Sequence, residues 1–195
     1  MMTSAAPDTE TADCIAIIVA AGSGNRAGPA PHHDTTQRGA ENKLEKQFWP
    51  LAGKPVLAHS VDVFRTHPRV KAIIIVTAPH NIERVRSDFD EPNCYVVAGG
   101  ATRQQSVHAG LKAAADIDPA GRFVAIHDAA RPLLPPALLS TMLATISDEV
   151  AGVAPALPLA DTLSCINAQQ TIDRIIDRTA MRALQTPQLF WRELI

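Results

Sequence analysis

The chain has 195 residues and 46% hydrophobic content, enough to build one domain around a sizeable core. A formal charge of -2 supplies no global attraction to nucleic acid or an anionic membrane, so any anion binding has to come from local constellations. Cys14, Cys94 and Cys165 form neither a CxxC pair nor an even disulfide set, which points to a reducing cytoplasm and away from a structural zinc site.

Met1 to Asp13 is polar and acidic, without the basic and apolar regions of a signal peptide. It predicts a disordered leader ahead of a single domain over 14–195. No later apolar run reaches membrane-spanning length. Cys14 to Val19 has the β-branched make-up of a buried strand. Directly after it stands Ala20-Ala21-Gly22-Ser23-Gly24-Asn25-Arg26, a glycine-rich turn. Backbone amides in such a turn approach phosphate oxygens without a Cβ in the way, and Arg26 adds fixed positive charge. Ala27 to Leu44 is a polar insert holding Pro29, Pro31 and Gly39, unsuited to a helix and without strand alternation, and it predicts a mobile loop. His32-His33-Asp34 within it reads as solvated chain, because adjacent side chains on a flexible segment rarely converge on one ion.

Further along, Pro55 to Phe64 places Val56, Leu57, Val61 and Phe64 on one helical face, and Thr102 to Ala115 does the same with Val107, Leu111 and Ala114. Val70 to Val76, Tyr95 to Val97, Phe123 to Ile126 and Gly152 to Ala156 read as strands. Leu159 to Ile176 carries two β-prone runs around Asn167-Ala168-Gln169-Gln170 and predicts a protruding hairpin. Trp191 to Ile195 reads as the opening of a helix. Alternating strands and helices imply a doubly wound, mostly parallel α/β sheet with helices on both faces. Ligands in such sheets bind beyond the carboxyl ends of the strands, which directs attention to Ala20–Arg26, Gly99–Arg103 and Asp128–Arg131.

Generic motifs do not settle the chemistry. Gly22, Gly24 and Ala27 satisfy a loose dinucleotide pattern, which keeps a dehydrogenase in view, but Gly28, Pro29 and Pro31 oppose the helix that pattern requires. Gly53-Lys54 is followed by Pro55 and makes no Walker A loop. Asp128 could cap a turn after its strand, but its setting between His127 and Arg131 favours a site, whereas Ser106 taken alone reads as a helix-surface hydroxyl.

Four motifs in order carry a more specific signal: the Ala20–Arg26 turn; Lys46-Gln47-Phe48; Gly99-Gly100-Ala101-Thr102-Arg103-Gln104-Gln105-Ser106-Val107; and His127-Asp128-Ala129-Ala130-Arg131-Pro132. Together with Asp161-Thr162, Asp177-Arg178 and Thr186-Pro187-Gln188, they resemble the 2-C-methyl-D-erythritol 4-phosphate cytidylyltransferases over nearly the whole chain after the leader. The resemblance implies a Rossmann-like nucleotidyltransferase fold and transfer of CMP from CTP to the phosphate of methylerythritol phosphate. It makes Arg26 and Lys46 the catalytic cations. Ala20, Ala21, Gly22, Gly24, Gly100, Ala101, Ser106 and Asp128 become nucleotide contacts. Asp128 also becomes the ligand of Mg²⁺ or another divalent cation. Arg131, Thr162, Arg178 and Thr186 would hold the sugar phosphate, some of them donated across a homodimer through the hairpin arm.

This chain departs from the family's pattern in two places. Glu45 stands where the family has proline before its Lys-Gln pair, and the insert separates Arg26 from Lys46, leaving Lys43 as a substitute lysine and the insert as a lid. The family also continues past the equivalent of Ile195 with more sheet, a second metal-site acid and a further lysine, so the domain is expected to be C-terminally incomplete. A ribitol 5-phosphate cytidylyltransferase shares these loops, and a silent nucleotide-binding or dimerisation module stays open as a reading from another class. For the cytidylyltransferase readings the expected partners are CTP and a small alditol phosphate, with no nucleic acid and no membrane.

Overall fold

The computed structural model describes residues 12–22 and 44–195. Nearly all of the predicted leader, the insert as far as Lys43, and Ser23, Gly24, Asn25 and Arg26 of the first turn lie outside the described residues.

In chain order the elements are β1 (Cys14–Ala20), a 3-10 turn (Lys46–Phe48), a ribbon of β2 (Pro50–Leu51) and β3 (Lys54–Pro55), α1 (Val56–Arg65) and β4 (Val70–Thr77). A second 3-10 turn (Pro79–Asn81) leads to α2 (Ile82–Asp88), β5 (Cys94–Ala98), α3 (Arg103–Ile117), β6 (Phe123–Asp128) and α4 (Pro136–Thr145). Then follow β7 (Gly152–Val153), β8 (Ala156–Pro158), β9 (Leu163–Ile166), β10 (Ile172–Ile176), β11 (Arg182–Leu184), β12 (Gln188–Trp191) and a last 3-10 turn (Arg192–Leu194).

One six-stranded sheet runs β5-β4-β1-β6-β12-β7. β1 lies parallel between β4 and β6, β5 is parallel to β4, and β12 is antiparallel to both β6 and β7. The central strands are apolar on both faces because helices cover both. Ala16, Ile18, Ile73 and Ile75 pack with Leu57, Val61 and Phe64 of α1 and Leu139 and Met142 of α4. Ile15, Ile17, Ile74 and Val76 face Ala114, Val107 and Leu111 of α3. Gly110 lets α3 lie close on this second face, since a Cβ there would stand 2.5 Å from Cγ2 of Ile17. The layers are those of the doubly wound, mostly parallel sheet predicted from the alternation.

Three local expectations change. The strand read over Gly152 to Ala156 is two: β7 joins the main sheet, and β8 leaves it to pair with β11. Pro155 stands between them, and proline has no N–H to continue a ladder. Second, Trp191 ends the strand β12 instead of opening a helix. Its ring packs on Phe123 at 4.7 Å between centroids, and its Nε1 donates to the Ser147 and Val150 carbonyls at 3.1 and 3.2 Å. Those contacts come from distant sequence and decide the conformation. Third, β9 and β10 form the hairpin, but β8 and β11, which flank it in sequence, pair as a second two-stranded antiparallel ribbon, so the arm begins before Leu159 and ends after Ile176.

Candidate active site

The register of the sheet brings the strand ends together. Ala20 pairs with Thr77, Thr77 with Ala98, and Val19 with Asp128, so the segments following β1, β5 and β6 leave one rim side by side. Ala21 and Gly22 leave β1 next to Gly99. A Cβ on Gly99 would fall 2.5 Å from Cβ of Ala21 and 2.8 Å from Oγ of Ser106, so the close approach of these two segments needs glycine.

The segment after β5 is braced by the start of α3. Thr102 Oγ1 accepts from the Gln105 N–H at 3.1 Å, while Gln105 Oε1 accepts from the Thr102 N–H at 3.1 Å, a reciprocal capping box. Ser106, buried beneath it, accepts from the Gly100 N–H at 3.2 Å and donates to the Thr102 carbonyl at 3.0 Å. Gly100 and Ala101 are thereby exposed on a fixed backbone. The Ser106 hydroxyl holds that loop from within.

The segment after β6 is pinned more tightly. The Ala129 N–H donates to Val19 O at 3.0 Å, and Ser60 Oγ of α1 donates to Ala129 O at 3.1 Å. His127 is wholly buried, and burial pushes its pKa down to about 4. Neutral imidazole has one donor and one acceptor nitrogen. Since Nε2 faces the Arg131 carbonyl at 3.1 Å, it carries the proton, and Nδ1 accepts from Thr186 Oγ1 at 3.1 Å. The same hydroxyl accepts from the Asp128 N–H at 3.2 Å. With both nitrogens engaged, His127 has no role as a base. Asp128 itself reaches the rim, where Oδ1 pairs with Arg103 Nε at 3.0 Å and Oδ2 with Arg131 Nε at 3.4 Å.

Lys46 lies in the first 3-10 turn, and its neighbour Gln47 donates from Nε2 to Ala20 O at 2.8 Å, tying the turn to the end of β1. Of the residues singled out from sequence, Ala20, Ala21, Gly22, Lys46, Gly100, Ala101, Ser106, Asp128, Arg131 and Thr186 therefore belong to this rim or its supports. Thr162 and Arg178 do not join it: both are exposed on the arm, and Arg178 donates to the Ala160 carbonyl beside it. Gly24 and Arg26 lie outside the described residues. The sequence reading passed over the pairing of Arg103 with Asp128, the hydrogen bonds that Glu45 makes and the hydrogen-bonding of His127. A charged residue at the start of a helix following a strand end is a usable signal for the first; the others depend on pairings across the fold.

A doubly wound, mostly parallel sheet with these three braced strand ends defines an α/β domain of the nucleotidyltransferase type. The comparisons narrow that class. The family model IspD, 2-C-methyl-D-erythritol 4-phosphate cytidylyltransferase, matches residues 14–195, and the chain belongs to that family. It is 39% identical over 181 residues to a bifunctional enzyme IspD/IspF of Rhodopseudomonas palustris, covering 92% of this chain and 42% of that protein. It is 35% identical over 178 residues to a 2-C-methyl-D-erythritol 4-phosphate cytidylyltransferase of Dechloromonas aromatica, covering 90% of this chain and 72% of the relative. Among solved structures, a 4-diphosphocytidyl-2C-methyl-D-erythritol synthase of Anaerococcus prevotii superposes with a TM-score of 0.73 at 25% identity, over 93% of this chain and 70% of that one. The bifunctional IspDF of Campylobacter jejuni gives a TM-score of 0.68 at 25% identity, over 93% of this chain and 42% of that one. The chain thus spans about two fifths of the bifunctional relatives.

Proposed function

We propose that this chain transfers CMP from CTP to the phosphate of 2-C-methyl-D-erythritol 4-phosphate, releasing pyrophosphate. The observation that carries the reading is the rim itself: the Ala20–Gly22 turn, the Gly100-Ala101 backbone fixed by Ser106, and Asp128 between Arg103 and Arg131, beside Lys46. A phosphate monoester with a second pKa of about 6 is already largely ionised at neutral pH, so its oxygen attacks the α-phosphorus of CTP unaided. One P–O bond forms as the bond to the β-phosphate breaks. This suits a rim whose buried histidine has no lone pair to spare.

The residues then have positioning and electrostatic work. Lys46 and Arg26 neutralise charge growing on the departing pyrophosphate. Gly100 and Ala101 meet cytosine through backbone groups. Arg131, with Thr162 and Arg178, holds the acceptor phosphate, while Thr186, whose hydroxyl hydrogen is committed to His127, supports that side of the rim from beneath instead of touching the phosphate as the resemblance implies. Asp128 suits a Mg²⁺ ion: its two oxygens offer about four lone-pair sites, of which the arginines use two, and Mg²⁺ takes one or two carboxylates together with substrate phosphates. When bound, the ion draws negative charge from the triphosphate.

The arm is read as a homodimer contact, since it presents Leu157, Ile166, Ile172, Ile175 and Leu184 outward. This reading also brings Thr162 and Arg178 to a partner's rim. Free Cys14, Cys94 and Cys165 suit the cytoplasm, and no helix among the described residues is long and apolar enough to cross a membrane.

The test is incubation of the chain, alone and with any natural C-terminal continuation, with CTP, Mg²⁺ and methylerythritol or ribitol phosphate, measuring pyrophosphate and the CDP-alditol. Product from methylerythritol phosphate is expected. Product from ribitol phosphate alone would reassign the acceptor, and CTP binding without product from any form would reduce the chain to a binding module.

A further inference from the structure

Glu45 sits at the centre of a hydrogen-bond cluster that the assigned site does not use. Its Oε1 accepts from His80 Nε2 at 2.8 Å and from Asn81 Nδ2 at 3.1 Å, both in the turn that follows β4. Its Oε2 accepts from Nε2 of Gln47, the same group that donates to Ala20 O at the end of β1. The carboxylate thus joins the exits of two neighbouring parallel strands, and its side chain is only 18% exposed. Gln47 is buried, so the second half of the linkage is shielded from water.

Lys46 lies between these two anchored residues. Its own amine has no ion-pair or hydrogen-bond partner among the described residues, so its placement comes from the backbone on either side. A lysine is a point charge on a long flexible stem, and fixing the root of that stem reduces the freedom left to be lost when an anion is gripped.

We propose that Glu45 is a positioning residue for Lys46, clamping the 3-10 turn so that the lysine is rooted at the end of β1. The proposal rests on the reading of Lys46 as a cation of the triphosphate site. The backbone supplies a way to separate the clamp from other roles of the carboxylate. Glu45 has φ -65° and ψ 144°, and its N–H makes no hydrogen bond among the described residues. A proline ring imposes that φ and needs no N–H, so proline fixes the same backbone by different chemistry.

The test compares Glu45→Ala, Glu45→Pro and Lys46→Ala, singly and as Glu45→Ala/Lys46→Ala, in the whole chain. Glu45→Ala is expected to lower kcat roughly tenfold, as small misplacements of catalytic groups do. Glu45→Pro should restore most of that loss, and Glu45→Ala should cost nothing further once Lys46 is alanine. Losses that multiply in the double variant, or a proline variant as impaired as the alanine one, would overturn the clamp. Hydrogen exchange is the second readout and needs no turnover. The Phe48 N–H donates to Glu45 O at 2.9 Å and the Trp49 N–H to Lys46 O at 3.2 Å, so both amides should lose protection in Glu45→Ala and regain it in Glu45→Pro. If the unaltered chain turns over no CTP, the functional reading fails, while the exchange pattern still decides the clamp: unchanged protection in Glu45→Ala refutes it.

Discussion

Thr186 and His127, 59 residues apart in sequence, share one hydrogen bond of 3.1 Å between a hydroxyl and a ring nitrogen, and that bond sets which way both groups face. Because Nδ1 can only accept, the Thr186 hydroxyl hydrogen points to the ring and its lone pair is left for the Asp128 N–H at 3.2 Å. The β12 side of the sheet thereby fixes the segment that carries Asp128 and Arg131.

Replacing Thr186 with valine keeps the shape and removes both bonds. It leaves a buried ring acceptor and a backbone donor without partners, which costs about 1–3 kcal/mol. Denaturant unfolding should show that loss, and kcat should fall because Asp128 is no longer held. Thr186→Ser should recover both properties. A valine variant with unchanged stability and turnover would contradict this account of the rim.

The buried ring makes a prediction about pH. His127 has its pKa depressed from 6.5 to about 4, chiefly by burial, so the unfolded chain binds a proton that the folded chain refuses. Stability from this residue is therefore full above about pH 6.5 and declines as pH falls toward 4, with about 2 kcal/mol gone by pH 5. The measurement is the unfolding free energy between pH 7.5 and 5 for the parent chain and for His127→Gln. The difference between the two slopes isolates the ring, and parallel slopes would mean that His127 takes up its proton while folded.

At Gly99 the constraint is steric. Alanine there puts a Cβ 2.5 Å from Cβ of Ala21 and 2.8 Å from Ser106 Oγ, so the segments after β1 and β5 must move apart. They are the two proposed faces of the nucleotide site. Gly99→Ala is expected to weaken CTP binding by tenfold or more, about 1.4 kcal/mol, and to lower the thermal midpoint as well, because the added Cβ also presses on the buried Ser106 and Val76. Calorimetric titration with CTP checks it, and an unaltered Kd would remove the segment after β5 from the site.

The alternation of apolar runs was enough to read the sheet and the rim, because a strand buried on both faces has a sequence like Ile15-Ala16-Ile17-Ile18 whatever surrounds it. Gly99, Ser106 and Asp128 were legible through their motifs. What could not be read locally was decided by distant partners. Trp191 is a strand residue because Phe123 and the carbonyls near α4 take its ring. Glu45 matters because His80 and Asn81 arrive from another strand end. α4 lacks a marked polar face, so its periodicity was silent. Thr162 and Arg178 were nameable only by resemblance, and within one chain they stay apart from the rim.

That separation leads to the last prediction. Ile172 and Ile175 are each 69% exposed, on an arm of paired strands that packs no residue into the core described for the rest of the chain. An apolar ribbon of this kind is stabilised by covering it, and in the proposed homodimer a second copy of the arm would cover it and bring Thr162 and Arg178 to the neighbouring rim. Ile172→Asp with Ile175→Asp places charge on the ribbon without touching the sheet, so sedimentation should show a shift from dimer to monomer while far-ultraviolet dichroism stays the same. Turnover should fall with dimer content, and in the parent chain it should drop on dilution below the dimer dissociation constant. A parent chain that sediments as a monomer at every concentration would refute the assembly, and a charged variant that stays dimeric with full activity would place the contact elsewhere.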